Sequence, residues 1–217
     1  MITNLSLQNS LLSQWLHEIR SVQTQVDRMR FRRNTERMGE IIAYEISKTL
    51  EYNFTDTTTP LGNKAVQTIS EQPVLATILR AGVPLHQGLL NYFDHADCAF
   101  IAAYRKHNKN DGTFEIEQHY VTCPDLEGKT LIIADPMLAT GASLILALEG
   151  LLEFGQPKSI HIANVISCTE GIDNVLRRFP TAHIWTGDID DELTAKGYIV
   201  PGLGDAGDLC FGSKLQF

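Results

Sequence analysis

The sequence predicts an α/β fold, a parallel sheet flanked by helices. Short apolar, β-branched runs alternate with helical patterns of about ten residues, the plan that produces parallel strands joined by right-handed crossovers. The most strand-like run, Leu131–Ala134, ends in Asp135 and then a stretch without bulky side chains before the next helix. No repeat, low-complexity segment or linker divides the 217 residues, a length that suits one large domain with appendages and a core needing no staples.

Composition narrows the class. Hydrophobic residues at 43% and charged residues at 20% read as globular rather than disordered. A net charge of −8 argues against a general nucleic-acid or anionic-membrane surface. A polyphosphate-binding protein this acidic must concentrate its few cations, so arginine positions carry information. Cys98, Cys123, Cys168 and Cys210 form no CxxC pair, and no HExxH or Cys/His cluster occurs. Buried reduced thiols are expected, not a zinc or redox site. Met1-Ile-Thr-Asn-Leu-Ser lacks the basic-then-apolar plan of a signal peptide, and no apolar run reaches the ~20 residues of a membrane span, so a cytoplasmic protein is expected.

Taken in order, residues 11–30 predict a helix. Leu11, Leu12, Trp15, Leu16, Ile19, Val22, Val26 and Met29 recur at three- and four-residue steps. A stripe this apolar needs a partner, either the chain's own domain or a second subunit, and a homodimer or higher assembly is expected. Arg28, Arg30, Arg32, Arg33 and Arg37 read first as a solvated or bridging face, and second as a phosphate-contacting group. A second helix is expected over 34–50, broken off by Thr57-Thr-Thr-Pro-Leu-Gly62, so that residues 1–53 form a helical extension. Val74–Leu79 is a core strand. Arg80-Ala81-Gly82 follows, presenting a cation and bare backbone at the strand's carboxyl end. Val83-Pro84 then opens a helix to about Phe93, proline being at home in a first turn. Residues 99–121 predict a hairpin arm: a strand to Tyr104, then Arg105-Lys106, a polar tip over 107–112, and an alternating strand through Phe114, Ile116 and Tyr120. Such a cationic tip can fold over a polyanion as a lid, or be an ordinary solvated loop.

Asp125–Lys129 turns into the central strand. Asp135 stands at that strand's carboxyl end, where open α/β sheets bind ligands, and Pro136, lacking an amide hydrogen, stops the ladder. From Ala139 to Ser143 the backbone N–H groups can close around an anion. A helix starting near Leu144 would aim its positive end there, and Thr140 and Ser143 add hydroxyls. The arrangement suits a phosphate with a polyol beside it, the carboxylate taking the hydroxyls. That helix runs to about Phe154 and ends at Gly155. Ser159–Ile166 and Ala182–Thr186 are further core strands, with a helix from Thr169 to Phe179 between them. His161 and His183 lie inside strands and read as packed residues with hydrogen-bond partners.

The segment from Lys196 to Asp208 carries Gly197, Gly202, Gly204 and Gly207, which cost much entropy to order. Tyr198, Ile199, Val200, Leu203, Leu209 and Phe211 make it too apolar for a loose tail. It is expected to wrap a ligand.

Asp135-Pro136-Met137-Leu138-Ala139-Thr140-Gly141-Ala142-Ser143 is neither a Walker loop nor GxGxxG. It resembles the ribose-phosphate signature of phosphoribosyltransferases, in the version found in uracil phosphoribosyltransferases, where glycine usually stands at the position of Ala142. Arg80-Ala-Gly and, weakly, Thr59-Pro-Leu-Gly62 resemble the same family. Gly197-Tyr-Ile-Val-Pro-Gly-Leu-Gly-Asp-Ala-Gly-Asp208 is similar to its uracil-recognition segment. The resemblance covers about residues 59–217 and implies a single phosphoribosyltransferase-type domain over 1–217, with residues 187–217 recognising the base. It implies that Arg80 and Arg105 face the diphosphate of phosphoribosyl diphosphate (PRPP), that Asp135 takes the ribose hydroxyls, that 139–143 take the 5-phosphate and that Pro136, Met137 and Leu138 also line the PRPP site. Ile199, Gly204, Asp205 and Ala206 meet uracil, and Asp205 also reaches the donor. Uracil shows acceptor, donor and acceptor along one edge, which backbone groups of a glycine-rich loop match without side chains.

The implied reaction gives UMP and diphosphate from uracil and PRPP, with Mg²⁺ held mainly by substrate oxygens and water. GTP as an effector is a further expectation of the resemblance. Two alternatives stand beside it: a phosphoribosyltransferase for another base, and a pyrimidine-sensing RNA-binding regulator on the same fold. The acidic charge disfavours the second and the glycine-rich segment the first.

Overall fold

The computed structural model describes residues 1–107 and 114–214, without the side chains of 103–107 and 114–119. A mostly parallel, eight-stranded sheet forms its centre. The strands are β1 (Ile2–Asn4), β2 (Tyr52–Thr59), β3 (Gly62–Ile69), β4 (Val74–Leu79), β5 (Asp97–His107), β6 (Phe114–Thr122), β7 (Thr130–Ala134), β8 (Met137–Leu138), β9 (Ser159–Cys168), β10 (His183–Asp190), β11 (Glu192–Leu193) and β12 (Ile199–Val200). The helices are α1 (Leu11–Arg20), α2 (Arg28–Ser47), α3 (Val83–Leu90), α4 (Ala142–Leu151), α5 (Thr169–Arg178) and α6 (Ala206–Phe211). The central sheet runs β1-β10-β9-β7-β4-β5-β6, with β8 adding to β9. Its pairs are parallel except β5 with β6.

Alternation along the strands divides the core in two. Leu75 and Ile132 face α1–α3 with Leu16, Ile19, Met38, Ile42 and Leu85. Val74, Ala76, Leu131 and Ile133 face α4 and α5 with Leu144, Leu148, Ile172 and Val175. Both faces of β7 are therefore dry, which is why it reads as a continuous apolar run instead of an alternating one. His161 and His183 are packed as expected: Trp185 Nε1 donates to His161 Nδ1 at 3.1 Å, and His183 Nε2 lies 2.8 Å from Thr3 Oγ1.

Three elements differ from expectation, as does the burial of two cysteines. The single helix over 11–30 is two, since α1 stops at Arg20 and Asp27 caps α2 by accepting from the Arg30 N–H at 3.0 Å. Val22, Thr24 and Val26 are β-branched and weak helix formers, and Val22, Val26 and Met29 of the expected stripe are exposed. Residues 52–69 form an antiparallel hairpin, β2–β3, not a helix end followed by a loop. Its threonines and aromatics favour strand, and Pro60-Leu61 makes the two-residue turn. The N-terminal Ile2–Asn4 pairs in parallel with Ile184–Thr186, so the extension begins as an edge strand. Cys98 and Cys123 are half-buried, whereas Cys168 and Cys210 are buried; all four are free. Strands β5 and β6 form the expected hairpin. Its tip, on which the lid reading rests, lies outside the described residues. Among the described residues no helix is long and apolar enough to cross a membrane.

Candidate active site

Sheet order brings the two strand tips together. β7 lies between β4 and β9, and Thr77 pairs with Ala134, so Arg80 and Asp135 follow neighbouring strand ends. Gly82 is seated between them. A Cβ there would stand 2.2 Å from Thr77 Oγ1 and 2.7 Å from the Ala134 carbonyl, so no side chain fits.

Asp135 is fixed through its backbone. Its N–H donates to the Ala163 carbonyl at 3.1 Å, and its carbonyl accepts from Asn164 Nδ2 at 2.6 Å. Burial pushes its carboxyl up to about 7, against the Met137 N–H, which favours the ionised form. Pro136 ends β7 but not the pairing, a correction to the expected stop: its carbonyl accepts from Val165 and Ile166, and Met137–Leu138 resume as β8. A small open pocket lies here, lined by Asp135, by residues 137–141, and by Ser143 and Leu144.

The loop turns on Gly141, at φ +83°, a left-handed conformation that glycine adopts without cost. α4 then starts at Ala142, two residues before the expected Leu144, which puts Ser143 in its first turn. The N-terminal amides of α4 thus face the loop. Ala142 is exposed and has no positive φ, so its methyl is accommodated. Asn174 of α5 anchors the loop by donating Nδ2 to the Thr140 carbonyl at 3.1 Å.

The C-terminal segment folds back over Arg80. Arg80 Nη2 lies 3.4 Å from Asp208 Oδ1 and 3.5 Å from the Gly212 carbonyl. A Cβ on Gly207 would lie 3.9 Å from Ala81 Cβ. Asp205 caps α6, its Oδ1 accepting from the Asp208 N–H at 3.0 Å and its Oδ2 pairing with Lys214 Nζ at 3.1 Å. Burial raises the Asp205 carboxyl, but the Asp208 N–H, Lys214 and the Gly207 N–H outweigh it, and the net shift is downward. Ile199 and Ala206 are 4% and 3% exposed, their side chains in the core, which leaves backbone as what they can offer a ligand. Gly204, at φ +97°, has open space around it. Arg80, Asp135, the 136–143 loop and Asp205 thus gather at one end of the sheet. Arg105 lies on β5, and its side chain is outside the described residues.

The chain matches the family model "Uracil phosphoribosyltransferase" over residues 6–213. The chain belongs to the uracil phosphoribosyltransferase family. A relative of that name from Porphyromonas gingivalis is 48% identical over 215 residues, 99% of each chain. Another, from Thermococcus gammatolerans, is 38% identical, covering 93% of this chain and 89% of its own. Among solved structures, the AQ2163 protein from Aquifex aeolicus superposes with a TM-score of 0.86 at 30% identity, covering 100% of both chains.

Sequence reasoning missed the groups that hold this family's site in place. Arg20 binds Asp188 and Asp190 and reaches the Gly202 carbonyl. Arg32 donates to the Cys210 carbonyl at 2.6 Å. Arg30 pairs with Glu18 of α1, whereas Arg33 pairs with Glu36 within α2, so the arginine group divides between bridging and solvated positions, as its first reading has it. Asn164, fully buried, was read only as part of a strand. The crowding of arginines beside a glycine-rich tail in a protein of net charge −8 was the available signal for Arg32; Arg20 gave none.

Proposed function

We propose that the chain transfers ribose 5-phosphate from PRPP to N1 of uracil, giving UMP and diphosphate. The observation that carries the reading is the junction of Asp135 with the amide-lined loop to Ser143, facing Arg80 across neighbouring strand tips. The N1–C1′ bond forms as the C1′–O bond breaks, the electron pair leaves on diphosphate, and the N1 proton of uracil passes to solvent or to the departing diphosphate. Positive charge grows on the ribose and negative charge on the leaving group, so orientation and charge stabilisation do the catalysis. In this reading Asp135 accepts hydrogen bonds from the ribose hydroxyls. Residues 139–143 enclose the 5-phosphate with backbone N–H groups and the Thr140 and Ser143 hydroxyls, and Pro136, Met137 and Leu138 line the donor beside them. Arg80 and Arg105 take the diphosphate, and Arg80 exchanges its weak contact with Asp208 for it. Backbone groups of Ile199, Gly204, Asp205 and Ala206 read the uracil edge.

Among the described residues no three His, Cys, Asp or Glu side chains could hold a metal ion. Mg²⁺ keeps mainly substrate oxygens and waters as ligands, and Asp135 and Asp205 would be the carboxylates able to order them. When bound, the ion neutralises charge on the diphosphate. Exposed Val22, Val26, Met29 and Phe54 support a homodimer or larger homo-oligomer. Net charge of −8 weighs against the RNA-binding regulator.

Incubation with uracil, PRPP and Mg²⁺ is expected to yield UMP, with cytosine, hypoxanthine and adenine inert. Transfer to one of those bases instead would reassign the substrate. No transfer at all, with RNA retained at low salt and released at high salt, would favour the regulator.

A further inference from the structure

The glycine-rich segment needs an external support. Its positive-φ glycines lose more freedom on ordering than other residues, yet a base read by backbone groups must find them within a fraction of an ångström. Gly202 lies at the middle of the segment, between Ile199 and Gly204–Ala206. At φ +55°, a Cβ there would stand 2.2 Å from the Ile199 carbonyl oxygen, so the turn closes tightly on Ile199.

Both backbone polar groups of Gly202 are held by one ion pair. The Gly202 N–H donates to Asp190 Oδ2 at 3.0 Å, and Arg20 Nη1 donates to the Gly202 carbonyl at 2.9 Å. Arg20 and Asp190 are joined by two further bonds, Nη1 to Oδ2 at 2.8 Å and Nη2 to Oδ1 at 2.9 Å. The Asp190 side chain is 7% exposed. Asp188 Oδ2 accepts from Arg20 Nη2 at 2.8 Å, while Ser6 Oγ donates to Asp188 Oδ1 at 2.8 Å. Arg20 closes α1 and Asp190 closes β10, so two elements fixed in the core meet on one glycine. A planar guanidinium makes this fork, bidentate to a carboxylate with a carbonyl beside it, where an ammonium cannot.

We propose that Arg20 and Asp190 are positioning residues for the pyrimidine, setting the backbone of Gly202 and through it the groups of Ile199 and Gly204–Ala206 that meet the base. The assignment rests on the reading of function given above. It places no part of Arg20 or Asp190 against substrate. The donor half of the site, on β4 and the Asp135–Ser143 loop, makes no bond to either residue. Loss of the fork therefore weakens the acceptor most, and reaches the donor only through Asp205.

The test is steady-state kinetics of the full chain with both substrates varied, for Arg20→Met, Arg20→Lys and Asp190→Asn, alongside thermal unfolding. Arg20→Met is expected to raise the KM for uracil at least tenfold while the KM for PRPP stays within twofold. Arg20→Lys recovers part of the loss. Asp190→Asn keeps the shape and an acceptor, so it folds even where Arg20→Met does not, and it raises the uracil KM about threefold or more. A merely structural role lowers the unfolding temperature and leaves both KM values alone. That result in Asp190→Asn, or a parallel rise in both KM values, overturns the proposal. UMP formation by the unaltered chain separates the two levels: its absence sinks the reading of function, whereas its presence with unchanged uracil KM in the variants sinks only this assignment.

Discussion

The donor loop, Asp135–Ser143, and the glycine-rich segment, Gly197–Gly212, are built in opposite ways. The loop connects a strand buried on both faces to a helix starting one residue after Gly141, and its anchors, Ala163, Asn164 and Asn174, lie on the strand and helix that follow. Local sequence nearly determines it. The segment has only a two-residue strand pair and a six-residue helix of its own. Arg20 and Arg32 hold it, from more than a hundred residues away in the chain. One half of the site is therefore stiff by topology and the other by long-range polar contacts. Variants in the first should damage chemistry while sparing or even raising stability, whereas those at the supports of the second should act on acceptor binding.

Asp135→Asn makes the sharpest break. With the folded carboxyl at about 7 against an ordinary 3.8, the folded state holds the proton more tightly than the unfolded one. The resulting stability is complete below about pH 4 and is lost as pH rises through about 7, on the order of 2–4 kcal/mol for full ionisation. Asparagine carries no such charge. The variant is expected to bind PRPP at least 10²-fold more weakly, and in denaturant titrations to be more stable than the unaltered chain at pH 8 but not at pH 4. Unchanged donor affinity would remove Asp135 from the ribose. Equal stability at pH 8 would mean that the carboxyl is solvated after all.

Arg80→Ala is expected to cost about 10²-fold in kcat/KM, roughly 3 kcal/mol of charge stabilisation on the leaving diphosphate. Its folded-state partner is a 3.4 Å contact between side chains 44% and 34% exposed, and such pairs contribute about 0–1 kcal/mol. The unfolding temperature should therefore move by only a few degrees. Wild-type-like kinetics would take Arg80 out of the mechanism. A large loss of stability would place Arg80 among the supports of the segment rather than in the chemistry.

The same division decides what was legible in the sequence. β4, β7, β9 and the helices after them announce themselves, because burial on both faces leaves uninterrupted apolar runs and the connecting turns need small residues. Arg80 and Asp135 were legible because each ends such a run. The hairpin β2–β3 was not: Asn53, Asp56 and its threonines carry no core-facing alternation, and its strands are almost wholly exposed, so only the β propensity of Tyr52, Phe54 and Thr57–Thr59 marked it. The break between α1 and α2 was hidden by Val22, Val26 and Met29, which continue an apolar stripe that nothing covers in the single chain. Arg20 was illegible for a deeper reason. Its partners are a strand end and a glycine about 170 and 182 residues on, and no local pattern distinguishes an arginine that will reach them from one on a solvated face.

The smallest expected effect tests whether the segment depends on its own tail. Lys214 Nζ lies 3.1 Å from Asp205 Oδ2, with side chains 38% and 32% exposed. A pair this exposed is screened by water, and Lys214→Ala is expected to change stability at pH 7 by less than about 0.5 kcal/mol. The Asp205 carboxyl sits below its ordinary 3.8, so its contribution is present above that value and lost as pH falls through the folded value. The variant gives up only the part owed to Lys214, since the Asp208 and Gly207 N–H groups remain. Its small deficit should therefore be full above about pH 5 and fade as pH falls through the folded value, below which the two chains are equally stable. Uracil KM should stay within twofold. A tenfold rise in that KM would show that the tail, and not the fork of Arg20 and Asp190, keeps the base-reading backbone in place.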